Sequence, residues 1–245
     1  EKYYLTLQIN LVMGILRPQQ AYSKIAKDYD KIYSSVKCEI ENNYIRTILK
    51  NENIPDGNVL DLGCGTGNYL DWFPDSFFKF KGIDISKEMI DVAEYKYPMA
   101  KFSVGDMADP LIYETGYDSI ISLFGSFSYC LQPELVIHNS YNSLQAGGKF
   151  VLMPLTPKWA YFQSQVSFSK GVISTQLLYT DKIINKLLNG FTIKTITGFP
   201  IFLDMLSKKY HNNKIICNSL APIDKYLSKH FPNLGAYIIV VAEKK

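Results

Sequence analysis

Nine consecutive residues, Val59-Leu-Asp-Leu-Gly-Cys-Gly-Thr-Gly67, constrain this chain more than any others. A short apolar run ends in glycines at alternate positions, the pattern of a buried strand turning sharply into a loop. Glycines 63, 65 and 67 allow positive φ angles and let a ligand lie against bare backbone. In a doubly wound sheet such a loop follows the first strand and faces a nucleotide-like ligand. The dinucleotide spacing, G-x-G-x-x-G, would place its third glycine at position 68, where this chain has Asn68. Asp61 enters the loop directly from the strand. A carboxylate there repels a pyrophosphate and attracts a cationic amino group.

The rest of the chain supplies a sheet for that loop. Residues 19–50 carry apolar side chains at helical spacing, among them Tyr22, Ile25, Ala26 and Tyr29, then Tyr44, Ile45, Ile48 and Leu49. Pro55-Asp56-Gly57 breaks the pattern. Beyond it, short apolar runs alternate with amphipathic stretches, as in β-α-β units. The runs predict strands at 58–62, 79–84, 100–104, 117–123, 149–153, 192–197 and 236–243. Helices are predicted at 68–72, 87–95, 134–144 and 181–188, with Ser86 as the N-cap of the second. Gln145-Ala-Gly-Gly148 reads as the glycine C-cap of the third. The aromatic stretch 154–176 reads as a cover over the sheet edge.

Two further acids fall at strand ends. Asp84 follows Gly67 at about the offset where an acidic residue accepts hydrogen bonds from ribose hydroxyls. Asp106, in Gly105-Asp-Met107, is placed to take an adenine amine, with Met107 and Ile85 as apolar walls for the ring.

Taken in order, these segments resemble the successive motifs of class I S-adenosylmethionine-dependent methyltransferases. They are Asp-x-Gly-x-Gly-x-Gly, then Gly-Ile-Asp-Ile-Ser (82–86), Gly-Asp-Met (105–107), Tyr-Asp-Ser-Ile-Ile-Ser (117–122) and Leu-Gln-Ala-Gly-Gly-Lys-Phe (144–150). Ala-Lys-Asp-Tyr-Asp-Lys-Ile-Tyr (26–33) looks like that family's N-terminal segment, and the last fifteen residues are similar to its final antiparallel strand. The resemblance covers residues 20–245. It implies a doubly wound α/β fold with a mostly parallel seven-stranded sheet, an antiparallel last strand, N-terminal helices and a cover inserted after the fifth strand. One domain, 1–245, would divide into a helical lid (1–50), a cofactor half (51–153) and a substrate-side half (154–245).

The cofactor so implied, S-adenosylmethionine, carries an ammonium and a sulfonium and no phosphate, which suits Asp61. By the resemblance, Asp61 and the backbone of Gly63 hold the ammonium, Asp84 the ribose and Asp106 the adenine. Leu123 and Phe124 line the methionine arm, and Cys64, Gly65, Gly67, Ile85, Met89 and Met107 complete the cofactor-facing set. Tyr22, Tyr29 and Tyr33 are candidates to close over the cofactor; plain helix packing is the other reading of each.

The acceptor is less constrained. Asn/Asp-Pro-Pro-aromatic, common after the fourth strand of nucleic-acid and protein-glutamine amino methyltransferases, is replaced by Phe124-Gly-Ser-Phe-Ser-Tyr129. That segment looks more like the Phe-Ser-Ser-x-Gly-Tyr/His of small-molecule amine methyltransferases, from which Gly125 and Ser128 depart. Phe127, Ser128 and Tyr129 are thus expected to face substrate, with Tyr129 placed to orient an amine or take its proton through water. Trp159 and Tyr161 are expected to join them from an aromatic lid, which suits a planar, apolar or cationic acceptor. The expected partner is a small-molecule or peptide amine or hydroxyl. An RNA methyltransferase, a dinucleotide-dependent oxidoreductase and a non-catalytic binding module are the competing readings.

Composition narrows these. The net charge is +3, almost all of it lysine, and Arg17 and Arg46 are the only arginines. With no basic stripe and few arginine forks, nucleic acid is not the expected partner. Cys38, Cys64, Cys130 and Cys217 form no C-x-x-C pair, so neither a zinc site nor a disulfide framework is expected, and a reducing cytoplasm is. The apolar run 5–16 is too short to span a bilayer, lacks a signal-peptide cleavage pattern, and reads as a helix packed on the body. No membrane partner or metal is expected.

Overall fold

A computed structural model describes residues 5–6, 17–54, 57–72, 79–158 and 177–245. Its centre is β2 (Val59–Leu62), whose four residues are all buried. Short runs that are apolar on both faces form strands covered on both sides. β2 pairs in parallel with β3 (Phe80–Asp84) on one side and with β5 (Tyr117–Ser122) on the other. β4 (Lys101–Val104) adds to β3, and β6 (Leu144–Leu152) to β5. β9 (Tyr237–Lys244) runs antiparallel between β6 and β8 (Phe191–Phe199), giving the order β4-β3-β2-β5-β6-β9-β8. The chain steps outward from β2 to β4 and then returns to β5. The strand order therefore reverses beside β2, and a crevice opens at the carboxyl ends of β2 and β5.

Helices cover both faces. α3 (Val36–Asn51) buries Tyr44, Ile45, Ile48 and Leu49 against Val59, Phe80 and Ile121. Truncating Ile45 or Leu49 to alanine there costs about 2–5 kcal/mol. α5 (Pro133–Ser143) and α6 (Asp181–Leu187) close the other face through Val136, Ile137 and Ile184. α4 (Lys87–Lys96) starts at the expected cap, where the Ser86 hydroxyl accepts the Met89 N–H. Two short helices, α1 (Pro18–Ser23) and α2 (Tyr29–Ile32), lie over the open ends of the strands. No helix among the described residues is long and apolar enough to cross a membrane.

The structure corrects four expectations. Residues 68–72 form only a 3-10 turn, Leu70–Trp72. α5 ends at Ser143 without a glycine cap, and residues 144–148 begin β6, because Leu144 pairs with Tyr117. Leu5–Thr6 is a two-residue strand, β1, antiparallel to β7 (Leu177–Leu178), rather than the start of a helix. Lastly, α7 (Lys214–His230) has no counterpart among the expected helices. Its buried face includes Asp224 and Ser228, and Pro222 lies inside it, so the apolar period is interrupted. Asp224 is buried with purpose: its carboxylate accepts the backbone N–H groups of Ile201, Phe202 and Leu203 at 2.7–3.1 Å.

Candidate active site

The crevice holds a cavity of about 570 Å³, within the roughly 300–1,000 Å³ of small-molecule sites. The glycine loop forms one wall. Gly63 and Cys64 donate their N–H groups to the Ile83 carbonyl at 2.7 and 3.0 Å, bending the loop over β3. Gly63 has φ +80° and a Cβ there would meet the Cβ of Ser126 at 2.4 Å, so both the turn and the close approach require glycine. Gly65 also has positive φ, but a Cβ on it would meet nothing within 4 Å. Its bare face is turned to open space.

Asp84 joins this wall at the end of β3. Its carboxylate accepts the Gly65 N–H at 2.9 Å and the Ser86 N–H at 2.8 Å, which fixes it facing the cavity. Burial raises its carboxyl above the ordinary range, while the backbone N–H donors pull it back. Asp106 also lines the cavity and accepts the Ala108 N–H at 2.9 Å. Ile85 and Met107 flank the space between these acids, and the Tyr113 hydroxyl anchors the Met107 carbonyl at 2.7 Å.

Asp61 lies behind the loop, 2% exposed. Burial and the charge of Asp84 push its carboxyl up to about 8. Among the described residues nothing donates a hydrogen bond to it. A buried carboxylate without a partner is costly. A ligand ammonium would relieve that cost; a phosphate would add to it.

The opposite wall is aromatic. Tyr22 and Tyr29 come from the helices over the strand ends, and Phe124 and Tyr129 from the segment after β5. The Tyr22 ring meets Tyr129 edge-on at 5.8 Å and Tyr29 at 6.1 Å. Phe124 has φ +50°, a strained backbone for a bulky side chain. Its ring stacks on Tyr69 at 4.3 Å and 10° and touches Trp72 and Tyr237 edge-on. Tyr22 and Tyr29 have hydroxyls raised well above the ordinary value, chiefly by burial, and burial pushes Cys130 up to about 11. Among the described residues the cavity wall has no histidine, lysine or glutamate.

The cavity thus gathers eleven of the expected residues: Tyr22, Tyr29, Gly63, Gly65, Asp84 and Ile85, with Met89, Asp106, Met107, Phe124 and Tyr129. Asp61, Cys64, Gly67, Leu123 and Tyr33 are not among the residues that line it. Tyr33 backs the Tyr29 ring at 5.0 Å, and Leu123 is core. Phe127 and Ser128 do not face the cavity. Phe127 is fully buried against Tyr179 at 5.3 Å, and the Ser128 hydroxyl accepts the Leu155 N–H at 2.8 Å. The 3-10 turn Ser126–Tyr129 explains this: at three residues per turn it puts Ser126 and Tyr129 on the cavity side and turns Phe127 and Ser128 into the core. Trp159 and Tyr161 lie outside the described residues. Arg17, Ser126 and Gln132 line the cavity without having been expected. Ser126 had a signal, the Gly125-Ser126 turn after a strand facing a glycine loop; Arg17 and Gln132 had none. Among the described residues no cluster could hold a metal ion.

A family model described as "Methyltransferase domain" matches residues 59–148. An uncharacterized protein of Methanocaldococcus jannaschii is 31% identical over 246 residues, covering 95% of this chain and 91% of its own. The dTDP-3-amino-3,4,6-trideoxy-alpha-D-glucopyranose N,N-dimethyltransferase of Streptomyces venezuelae is 27% identical over 129 residues, covering 51% of this chain and 50% of that enzyme. The fold is shared with a solved S-adenosylmethionine-dependent methyltransferase of Thermotoga maritima, at TM-score 0.63 and 16% identity over 93% of this chain and 99% of that one. With its glycine loop and acidic strand ends, the chain belongs to the class I S-adenosylmethionine-dependent methyltransferases.

Proposed function

We propose that this methyltransferase acts on a nitrogen of a small molecule. The observation that carries the reading is the division of the cavity: its acids, Asp84 and Asp106, stand at strand ends beside the glycine loop, and the other wall is aromatic, with no histidine, lysine or glutamate among the described residues. Bound S-adenosylmethionine supplies a methyl group already activated on a positively charged sulfur. Asp61 and the Gly63 backbone receive its ammonium, Asp84 the ribose hydroxyls and Asp106 the adenine amine, with Ile85 and Met107 on the ring. Phe124, which we assign to the acceptor side rather than to the methionine arm that the resemblance implies, excludes water and aligns the acceptor together with Tyr22, Tyr29 and Tyr129, which is most of what an in-line displacement requires. A neutral amine needs no base in that step; a hydroxyl usually does. Half the length of the Streptomyces venezuelae amino-sugar enzyme matches this chain, and that enzyme is an N,N-dimethyltransferase. The four cysteines are free, in keeping with a reducing cytoplasm.

The test is a screen of amine, phenol, peptide and RNA acceptors with methyl-labelled cofactor, read by mass spectrometry of the product. Label on amines supports the reading. Label confined to phenols or to RNA overturns it.

A further inference from the structure

Each tyrosine that α1 and α2 bring to the cavity is followed in the chain by a residue fastened to the cofactor wall. After Tyr22, the Ser23 hydroxyl meets the Ser86 hydroxyl at 3.1 Å and the Glu88 carboxylate, two and four residues beyond Asp84. After Tyr29, the Asp30 carboxylate is shared. One oxygen accepts the Thr66 hydroxyl at 2.6 Å and the other accepts the Lys96 ammonium at 2.8 Å. Lys96 also donates to the Thr66 carbonyl at 3.1 Å and to the Asn68 side-chain oxygen. Thr66 belongs to the glycine loop and is 1% exposed.

The second fastening sits where the loop most needs one. In a dinucleotide-binding sheet the loop runs into a helix, and the third glycine lets that helix pack closely on the sheet. Here that position is Asn68, and among the described residues that follow, Leu70–Trp72 form a 3-10 turn. The backbone after Gly65 is held instead by Lys96 from α4 and, through the Thr66 hydroxyl, by Asp30 from α2. Charge-assisted bonds of this kind are the stronger class. Asp30 and Lys96 keep 40% and 24% of their side-chain surface, so the pair stays in contact with solvent and can open.

We infer that Asp30 is a positioning residue that couples the two walls: through Thr66 and Lys96 it ties the cofactor loop to the placement of Tyr29 over the acceptor. Neither Asp30 nor Lys96 lines the cavity, so the effect is transmitted through Thr66 and through the neighbour in sequence, Tyr29. The inference rests on assigning the glycine-loop end of the cavity to S-adenosylmethionine.

Calorimetry of the full chain with S-adenosylmethionine tests it, on wild type, Asp30→Ala, Thr66→Val and the double variant, with hydrogen exchange of residues 17–33 measured without cofactor. Each single variant is expected to weaken cofactor binding, Asp30→Ala by roughly tenfold. The double variant should bind no more weakly than Asp30→Ala, because both substitutions break one link. Exchange over 17–33 should quicken in both single variants. Wild-type affinity in Asp30→Ala, or losses that multiply in the double variant, overturns the coupling. A lowered melting temperature with unchanged affinity and exchange overturns it too, leaving Asp30 a merely structural residue. Thr66→Val keeps the Asp30–Lys96 pair and serves if Asp30→Ala folds poorly. Absence of binding in wild type would instead overturn the cofactor assignment itself.

Discussion

The two walls of the cavity are built on different principles. The cofactor wall is backbone with carboxylates pinned to it: Gly63, Gly65 and Asp84 are fixed by hydrogen bonds among neighbouring strands and loops. The aromatic wall is side chain throughout, brought together from residues 22, 29, 124 and 129 and held by ring contacts at 4.3–6.3 Å. Backbone hydrogen bonds admit one geometry. Rings packed edge to face admit several of similar energy. The first wall therefore suits a ligand of fixed shape, and the second can accommodate different acceptors on the same chemistry.

If the walls are separable in this way, substitutions on each should move different quantities. The largest effect is expected from Asp84→Ala, which removes an acceptor of ribose hydroxyls and releases Gly65. Cofactor affinity should fall by about 100-fold, two charge-assisted hydrogen bonds at about 1.5 kcal/mol each. A titration showing less than a threefold change would break the distinction. Phe124→Ala should do the reverse, lowering kcat/KM for the acceptor by roughly tenfold through lost packing and alignment. Its cofactor affinity should stay within about threefold of wild type; an equal loss in both would mean that the walls are one unit.

A third test reads protons. The Asp61 carboxyl is raised from 3.8 to about 8, so the cofactor-free fold keeps a proton there that the unfolded chain gives up. That contribution to stability weakens as pH rises from 3.8 to 8. A cation docked on Asp61 favours the ionised form, so binding below pH 8 should release a proton. Calorimetry at pH 6.5 in buffers of different ionisation enthalpy would measure it, and Asp61→Asn should abolish it. The smallest effect is expected from Tyr29→Phe, which keeps the ring and removes only the hydroxyl. Acceptor kcat/KM should change by less than about threefold; a larger loss would give the hydroxyl a direct part in the reaction.

The same contrast explains what could be read from the chain. All seven strands of the main sheet, the Ser86 cap and the three acids follow from local spacing, because strand period and glycine turns are written in adjacent residues. The aromatic wall is a long-range assembly. Phe127 and Tyr129 are two positions apart, yet one is core and the other lines the cavity, because a 3-10 turn rather than an extended segment carries them. α7 stayed hidden because Asp224 and Ser228 interrupt its buried apolar face: Asp224 serves three backbone N–H groups that no sequence period reveals. The turn at Leu70–Trp72 reads as a helix by its apolar spacing, but the preceding loop is tied to Lys96 and does not propagate one.

Parallel calorimetric titrations with S-adenosylmethionine, its demethylated product and NADH test the acidic-loop assignment most directly. Saturable one-to-one binding of the first two, no heat with NADH, and binding of both weakened by about 100-fold in Asp84→Ala are the expected results. Saturable binding of NADH with no response to S-adenosylmethionine would contradict it.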